Sequence, residues 1–177
     1  MSSTQTLAPD QALITREIAL NNLRMEHAVT RRVIEAIPLD KGDYSPERFT
    51  KSAVDLAWHI VGAEHRFMDA VTTGAFDFSN TGRPASLTNS ADVSNWYAGM
   101  FEDDVRRVAA LDAAALSKTI DFRGIMMLPA VSFLLIGLKH SIHHRCQLSM
   151  YLRPMGAKVP SIYGESYDSA MARTAQS

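Results

Sequence analysis

Apolar residues recur at three- and four-residue intervals along four long stretches of the chain, the spacing that gathers them on one face of an α-helix. The first stretch, residues 11–36, carries Ile14, Ile18, Met25, Val29 and Val33 and runs on to Ile37. Asp10 is its expected N-cap and Pro38 its stop. The second, 46–73, carries Ala53, Ala57, Ile60, Val61, Phe67, Met68 and Val71 and ends at Gly74. Ser45-Pro46 offers it a start with proline at the first helical position, while Ser52-x-x-Asp55 offers a rival start as a capping box. The third, 91–111, turns Val93, Trp96, Tyr97, Met100, Phe101, Val105 and Val108 inward behind Ser90 as cap. The fourth, 129–153, opens at Pro129 and stops at Arg153-Pro154.

The connectors are polar or broken by glycine and proline. Residues 75–90, rich in Ser, Thr, Asn, Gly and Pro, read as a long loop. A turn near 112–116 and an extended stretch near 119–122 precede the fourth segment. The tail, 156–177, has little periodicity and is expected to lie over the surface. No strand pattern competes and no internal repeat occurs. The expectation is an all-α chain, a single domain over 1–177 folded as a four-helix bundle.

Charge narrows the choice of partner. In 177 residues, 18 Lys and Arg face 19 Asp and Glu, a formal net charge of −1, so neither nucleic acid nor an anionic membrane is an expected partner. The most apolar run, 125–138, falls short of the roughly 20 residues that span a bilayer. The first ten residues lack the cationic start and apolar stretch of a leader. A lone cysteine, Cys146, has no partner for an intramolecular disulfide. Together these point to a cytoplasmic protein.

Candidate chemistry concentrates in histidine. Of six, His140, His143 and His144 lie within five residues of the fourth segment. His140 and His144, one turn apart, share a helical face, whereas His143 points elsewhere. The stripe Phe133, Gly137, His140, His144, Leu148, Tyr151 is apolar at its ends, which predicts that the two histidines face the core. Each buried imidazole needs partners for both ring nitrogens, and a divalent ion serves both rings at once. The competing reading makes one or two of them hydrogen-bonded core histidines.

His59, among Ala57, Ile60 and Val61, is the best candidate for a third ligand from another helix, with Asp55 placed to orient it. His27 and His65 read as non-ligands, and Cys146 as a small buried hydrophobe rather than a thiol activated by Arg145. Residues 124–153 contain no Asp or Glu, which removes both a carboxylate-bridged di-iron bundle and a His-Glu-x-x-His protease helix. A mononuclear three-histidine centre remains, with a coordination position left open for water or substrate. Three nitrogens suit zinc, nickel or iron comparably.

The segment Ala57-Trp58-His59-Ile60 and the run from His140 through His143-His144-Arg145-Cys146-Gln147-Leu148 to Tyr151-Leu152-Arg153-Pro154-Met155-Gly156 resemble the DinB/YfiT-like metalloenzyme family. Val159-Pro160-x-Ile162-Tyr163-Gly164-x-Ser166-x-Asp168 also looks like the end of such proteins. The resemblance implies a four-helix bundle with a long link between its second and third helices. It further implies a metal site at His59, His140 and His144, with His143 a recurrent non-ligand. Cys146 departs from the pattern, since the family often has glycine after the His-His-Arg run.

Characterised relatives include thiol-dependent S-transferases and hydrolases, and many members are dimers. The implied function is therefore a divalent-metal enzyme, without an acidic general base on its fourth helix, that activates water or a low-molecular-weight thiol against a small electrophile as a homodimer. Tyr151 is the one side chain singled out as a hydrogen-bond donor to such a substrate. The alternative is a non-enzymatic metal-binding bundle acting through its dimer surface.

Overall fold

Six helices and one β-hairpin follow one another among residues 7–175, the part of the chain that this computed structural model describes. Met1–Thr6, part of the stretch expected to carry no leader, and the last two residues of the expected tail lie outside the described residues. Helix α1 spans Pro9–Glu35. Pro9 presets the helical φ one residue early, so Ala8 is the N-cap and Asp10 falls in the first turn, where its charge suits the helix dipole.

The buried face of α1 matches the expected stripe only towards its end, at Val33 and on to Ile37. Ala12, Ala19, Leu20, Leu23, Val33 and Ile34 face the core, while Ile14, Ile18 and Met25 are 59%, 53% and 63% exposed. Small alanines let this helix sit close to its neighbours, and a stripe chosen by large side chains overlooks them.

Helix α2 covers Ala53–Thr73. It uses the later of the two candidate starts: Ser52 Oγ accepts from the Asp55 N–H at 3.3 Å and donates to Asp55 Oδ2 at 2.8 Å. The start at Pro46 fails because Ser45 and Thr50 bond to one another and to the Glu47 carbonyl, closing a separate turn. Gly74, at φ +84°, ends α2 as expected. Helix α3, Ser90–Ala109, is capped by Asn89 instead of Ser90, whose hydroxyl donates to the Ile37 carbonyl inside the core.

Helix α4, Ala113–Ser117, occupies the expected turn. Strands β1, Thr119–Phe122, and β2, Met126–Pro129, then form an antiparallel hairpin with Phe122 opposite Met126. Arg123 and Gly124 make its turn at φ 56° and 72°. The second strand was not expected, because its Met-Met-Leu-Pro sequence merges with the apolar run that follows it. Pro129 thus closes β2, and helix α5 begins three residues later, as Ser132–Leu152. In the tail, Ser166 caps a short helix α6, Tyr167–Thr174, where no element was expected.

Helices α1 and α2 each pack against both α3 and α5, which sets α1 and α2 diagonally across a four-helix bundle. The link between α2 and α3 lies over α2: the Trp58 indole donates to the Thr81 carbonyl at 3.2 Å, and Arg83 reaches Asp55 at 2.7 Å and the Leu87 carbonyl. The α2–α5 seam is tight at Gly137, where a Cβ would stand 2.8 Å from that of Phe67. Among the described residues no helix is long and apolar enough to cross a membrane.

Candidate metal centre

His59 sits in the middle of α2, and His140 and His144 sit one turn apart on the facing side of α5. Their ring centroids are 4.9 Å (His59–His140), 4.5 Å (His59–His144) and 4.4 Å (His140–His144) apart. One nitrogen from each ring falls within 4.8 Å of the others, the one such grouping of His, Cys, Asp or Glu side chains among the described residues. The three rings are half-buried at an edge of the bundle, not sealed in its interior.

Local chemistry leaves these nitrogens free to coordinate. Burial first, then the charges of His144, Lys51 and Arg66, push the His59 imidazole down to about 4. Burial followed by its histidine neighbours takes His140 down to about 3. His144 is also lowered, burial outweighing the opposing hydrogen bond from Gln147. All three are neutral at pH 7, the form that binds a metal.

The donor set fits a single ion. Nitrogens bound at about 2.0–2.1 Å to one tetrahedral zinc lie roughly 3.4 Å from each other, and His59 Nε2 is 3.2 Å from His144 Nε2. His144 Nδ1 donates to Gln147 Oε1 at 2.7 Å, which fixes the tautomer and leaves the Nε2 lone pair facing His59. His140 Nδ1 is buried without a hydrogen-bond partner among the described residues.

The other residues singled out from the sequence divide. Tyr151 lines a cavity of about 430 Å³ together with His59, His144, Leu56, Gln147 and Met150. Asp55 does not orient His59: its two oxygens are taken by Ser52 and Arg83, because the carboxylate serves the helix cap and the overlying loop. His65 instead bonds Asp104 at 2.7 Å, an interaction that raises its pKa. His27 stacks on Phe101 at 4.0 Å, and His143 is exposed.

Cys146 is exposed, contrary to the expected buried hydrophobe. Its helical neighbour Arg145 takes the buried position, joining Glu26 and Thr30 of α1 to Tyr163 of the tail. The orienting role of Gln147 went unread, although its place three residues after His144 is the available signal. Glu64, fully buried and accepting from the Tyr97 hydroxyl, was also missed; a lone acid among Ile60, Val61, Phe67 and Met68 marks it. Burial raises its pKa to about 7.

Comparison with known proteins agrees with this architecture. The DinB family matches residues 9–175. The chain belongs to the DinB family. It is 28% identical over 131 residues to the uncharacterized protein YjoA of Bacillus subtilis strain 168, covering 72% of this chain and 82% of that one. The crystal structure of the DinB-like YjoA from B. subtilis superposes with a TM-score of 0.67 at 25% identity, over 84% of this chain and 99% of that one. A DinB-like protein from Bacillus cereus gives a TM-score of 0.69 at 21% identity, over 83% and 97% of the two chains, a likeness of fold. The DinB-like bundle expected from the sequence is therefore the fold of this protein, and its three-histidine cluster is compatible with metal binding.

Proposed function

We propose that this DinB-family chain is a mononuclear metalloenzyme in which His59, His140 and His144 hold one divalent ion, zinc, nickel or iron. The observation that carries the reading is convergence: three neutral imidazoles from two helices bring ring nitrogens within 4.8 Å of one another beside an open cavity of about 430 Å³. Structural zinc sites normally take four protein ligands, and three leave a position for a reactant. Such an ion supplies Lewis acidity that lowers the pKa of a water or thiol cosubstrate.

The protein's own groups then do the positioning. Gln147 holds the His144 ring by its Nδ1 proton. Leu56 and Met150 give the cavity an apolar wall suited to a small electrophile, and Tyr151 supplies a hydroxyl to orient it. Residues 132–152 of α5 include no Asp or Glu, so no carboxylate general base comes from that helix. The reaction class is transfer of a low-molecular-weight thiol to, or hydrolysis of, a small electrophilic molecule, in a homodimer of the cytoplasm.

The test is a screen of protein loaded in turn with zinc, nickel and iron, following thiol consumption and electrophile hydrolysis. The expected result is turnover that stops with a chelator and returns with one of these ions. Ion binding without turnover on any thiol or water pairing would favour the non-enzymatic reading.

A further inference from the structure

His59 lines two smaller cavities besides the large one. The first, about 290 Å³, is walled by Lys51, Arg66 and Arg123 together with Trp58, Phe78 and Thr81, and no carboxylate is among its lining residues. The second, about 130 Å³, is a slot between Phe67, Phe76, Phe78 and Phe122 that His140 also lines. Arg66 and Phe78 border both. The two spaces therefore adjoin each other and His59.

The charge of the first cleft is unusual for this chain. With a net charge of −1 overall, three cations gather on one small space, and none of them forms an ion pair among the described residues. The Arg66 and Arg123 guanidinium carbons lie 5.9 Å and 5.1 Å from the centroid of the same Phe78 ring. Two like charges held to one ring repel, and an anion between them relieves that repulsion while gaining charge-assisted hydrogen bonds. Arg123 is carried there by the hairpin turn in left-handed backbone, a conformation uncommon for a residue with a side chain. Burial lowers the pKa of Arg66, and Asp77 opposes that shift; the Asp77 carboxylate already accepts from the Ser79 N–H at 2.8 Å.

We propose that the Lys51–Arg66–Arg123 cleft binds the carboxylate or phosphate of a substrate whose aromatic or flat apolar group enters the phenylalanine slot. His59, which lines both spaces, then borders the junction between the two ends. As a statement of substrate class this rests on the metal-centred reading above, whereas the anion recognition is measurable without it.

Calorimetric titration with phenylacetate, phenyl phosphate and the neutral phenylacetamide tests the proposal, in chelator-treated and in zinc-loaded protein. In the chelator-treated protein, one or both anions should bind about 10-fold or more tightly than phenylacetamide, as charge-assisted contacts imply. Preference for one anion identifies whether the cleft takes carboxylate or phosphate. Arg66→Gln and Arg123→Gln should each remove most of that preference, while Arg106→Gln, on an exposed face of α3, should change nothing. Equal binding of anion and amide, or an undiminished preference in both cleft variants, overturns the proposal. Anion binding seen only after zinc loading also overturns it and leaves the metal reading standing. An anion preference in protein that takes up no metal supports the cleft and removes the metal reading.

Discussion

Gly137 of α5 meets Phe67 of α2 with room for a hydrogen and not for a methyl group: an added Cβ would stand 2.8 Å from the Phe67 Cβ. His140 follows Gly137 by one turn, so this contact helps set the distance over which His59 faces the α5 histidines. Gly137→Ala should destabilise the fold by about 1–3 kcal/mol, the usual cost of overpacking. It should also weaken metal binding by widening the seam. Urea unfolding and metal titration of the same variant check both effects. Unchanged metal affinity would separate the seam from the site.

Gln147 bonds the His144 ring through its Nδ1 proton and also lines the adjoining cavity. Gln147→Leu should keep the helix and lower metal affinity about 10–100-fold, the range for loss of a group that orients a metal-binding histidine. Competition with a chromophoric chelator measures it, with unfolding midpoints as the control.

Acid should destabilise the metal-free protein well above the range in which carboxylates titrate. His27, His59 and His140 sit at about 4, 4 and 3 in the folded state against an ordinary 6.5. Between those limits the unfolded chain binds more protons, so stability rises with pH and is lost as pH falls below 6.5. Glu64 acts in the opposite sense. Its folded pKa of about 7 exceeds the ordinary 4.5, so its contribution is present at low pH and lost as pH rises through 7. Glu64→Gln should therefore steepen the gain in stability between these two values. Urea midpoints of chelator-treated wild type and variant from about pH 4 to pH 8 reveal the slopes.

Arg145 is 2% exposed and is held by Glu26, Thr30 and Tyr163. Arg145→Ala should cost about 3–5 kcal/mol, because it leaves the Glu26 carboxylate without its cationic partner at the α1–α5 seam, held among the described residues only by the Tyr163 hydroxyl. Chemical denaturation gives the value directly. The double variant Glu26→Gln/Arg145→Met should recover part of the loss, since it removes the stranded charge.

The family and bundle were legible from local pattern: the histidine run on α5, the position of His59 and the loop after α2 all lie in short stretches of sequence. What escaped was decided by contacts distant along the chain. The exposure of Ile14, Ile18 and Met25 follows from close packing at Ala12 and Ala19, which carry little hydrophobic signal. Strand β2 is visible only as the partner of β1. Asp55 had a cap to serve and a loop arginine to hold, and the loop's path was unreadable. Cys146 is exposed because the adjacent Arg145 turns inward, where Glu26 and Tyr163, far apart in sequence, provide its buried guanidinium with partners.

Elemental analysis of protein prepared without an affinity tag bears most directly on the metal centre. Wild type should contain about one zinc, nickel or iron per chain, and His59→Ala, His140→Ala and His144→Ala should each fall well below that while remaining folded. Wild type free of metal after growth and titration with these ions, or stoichiometric metal retained by His144→Ala, would contradict the assignment.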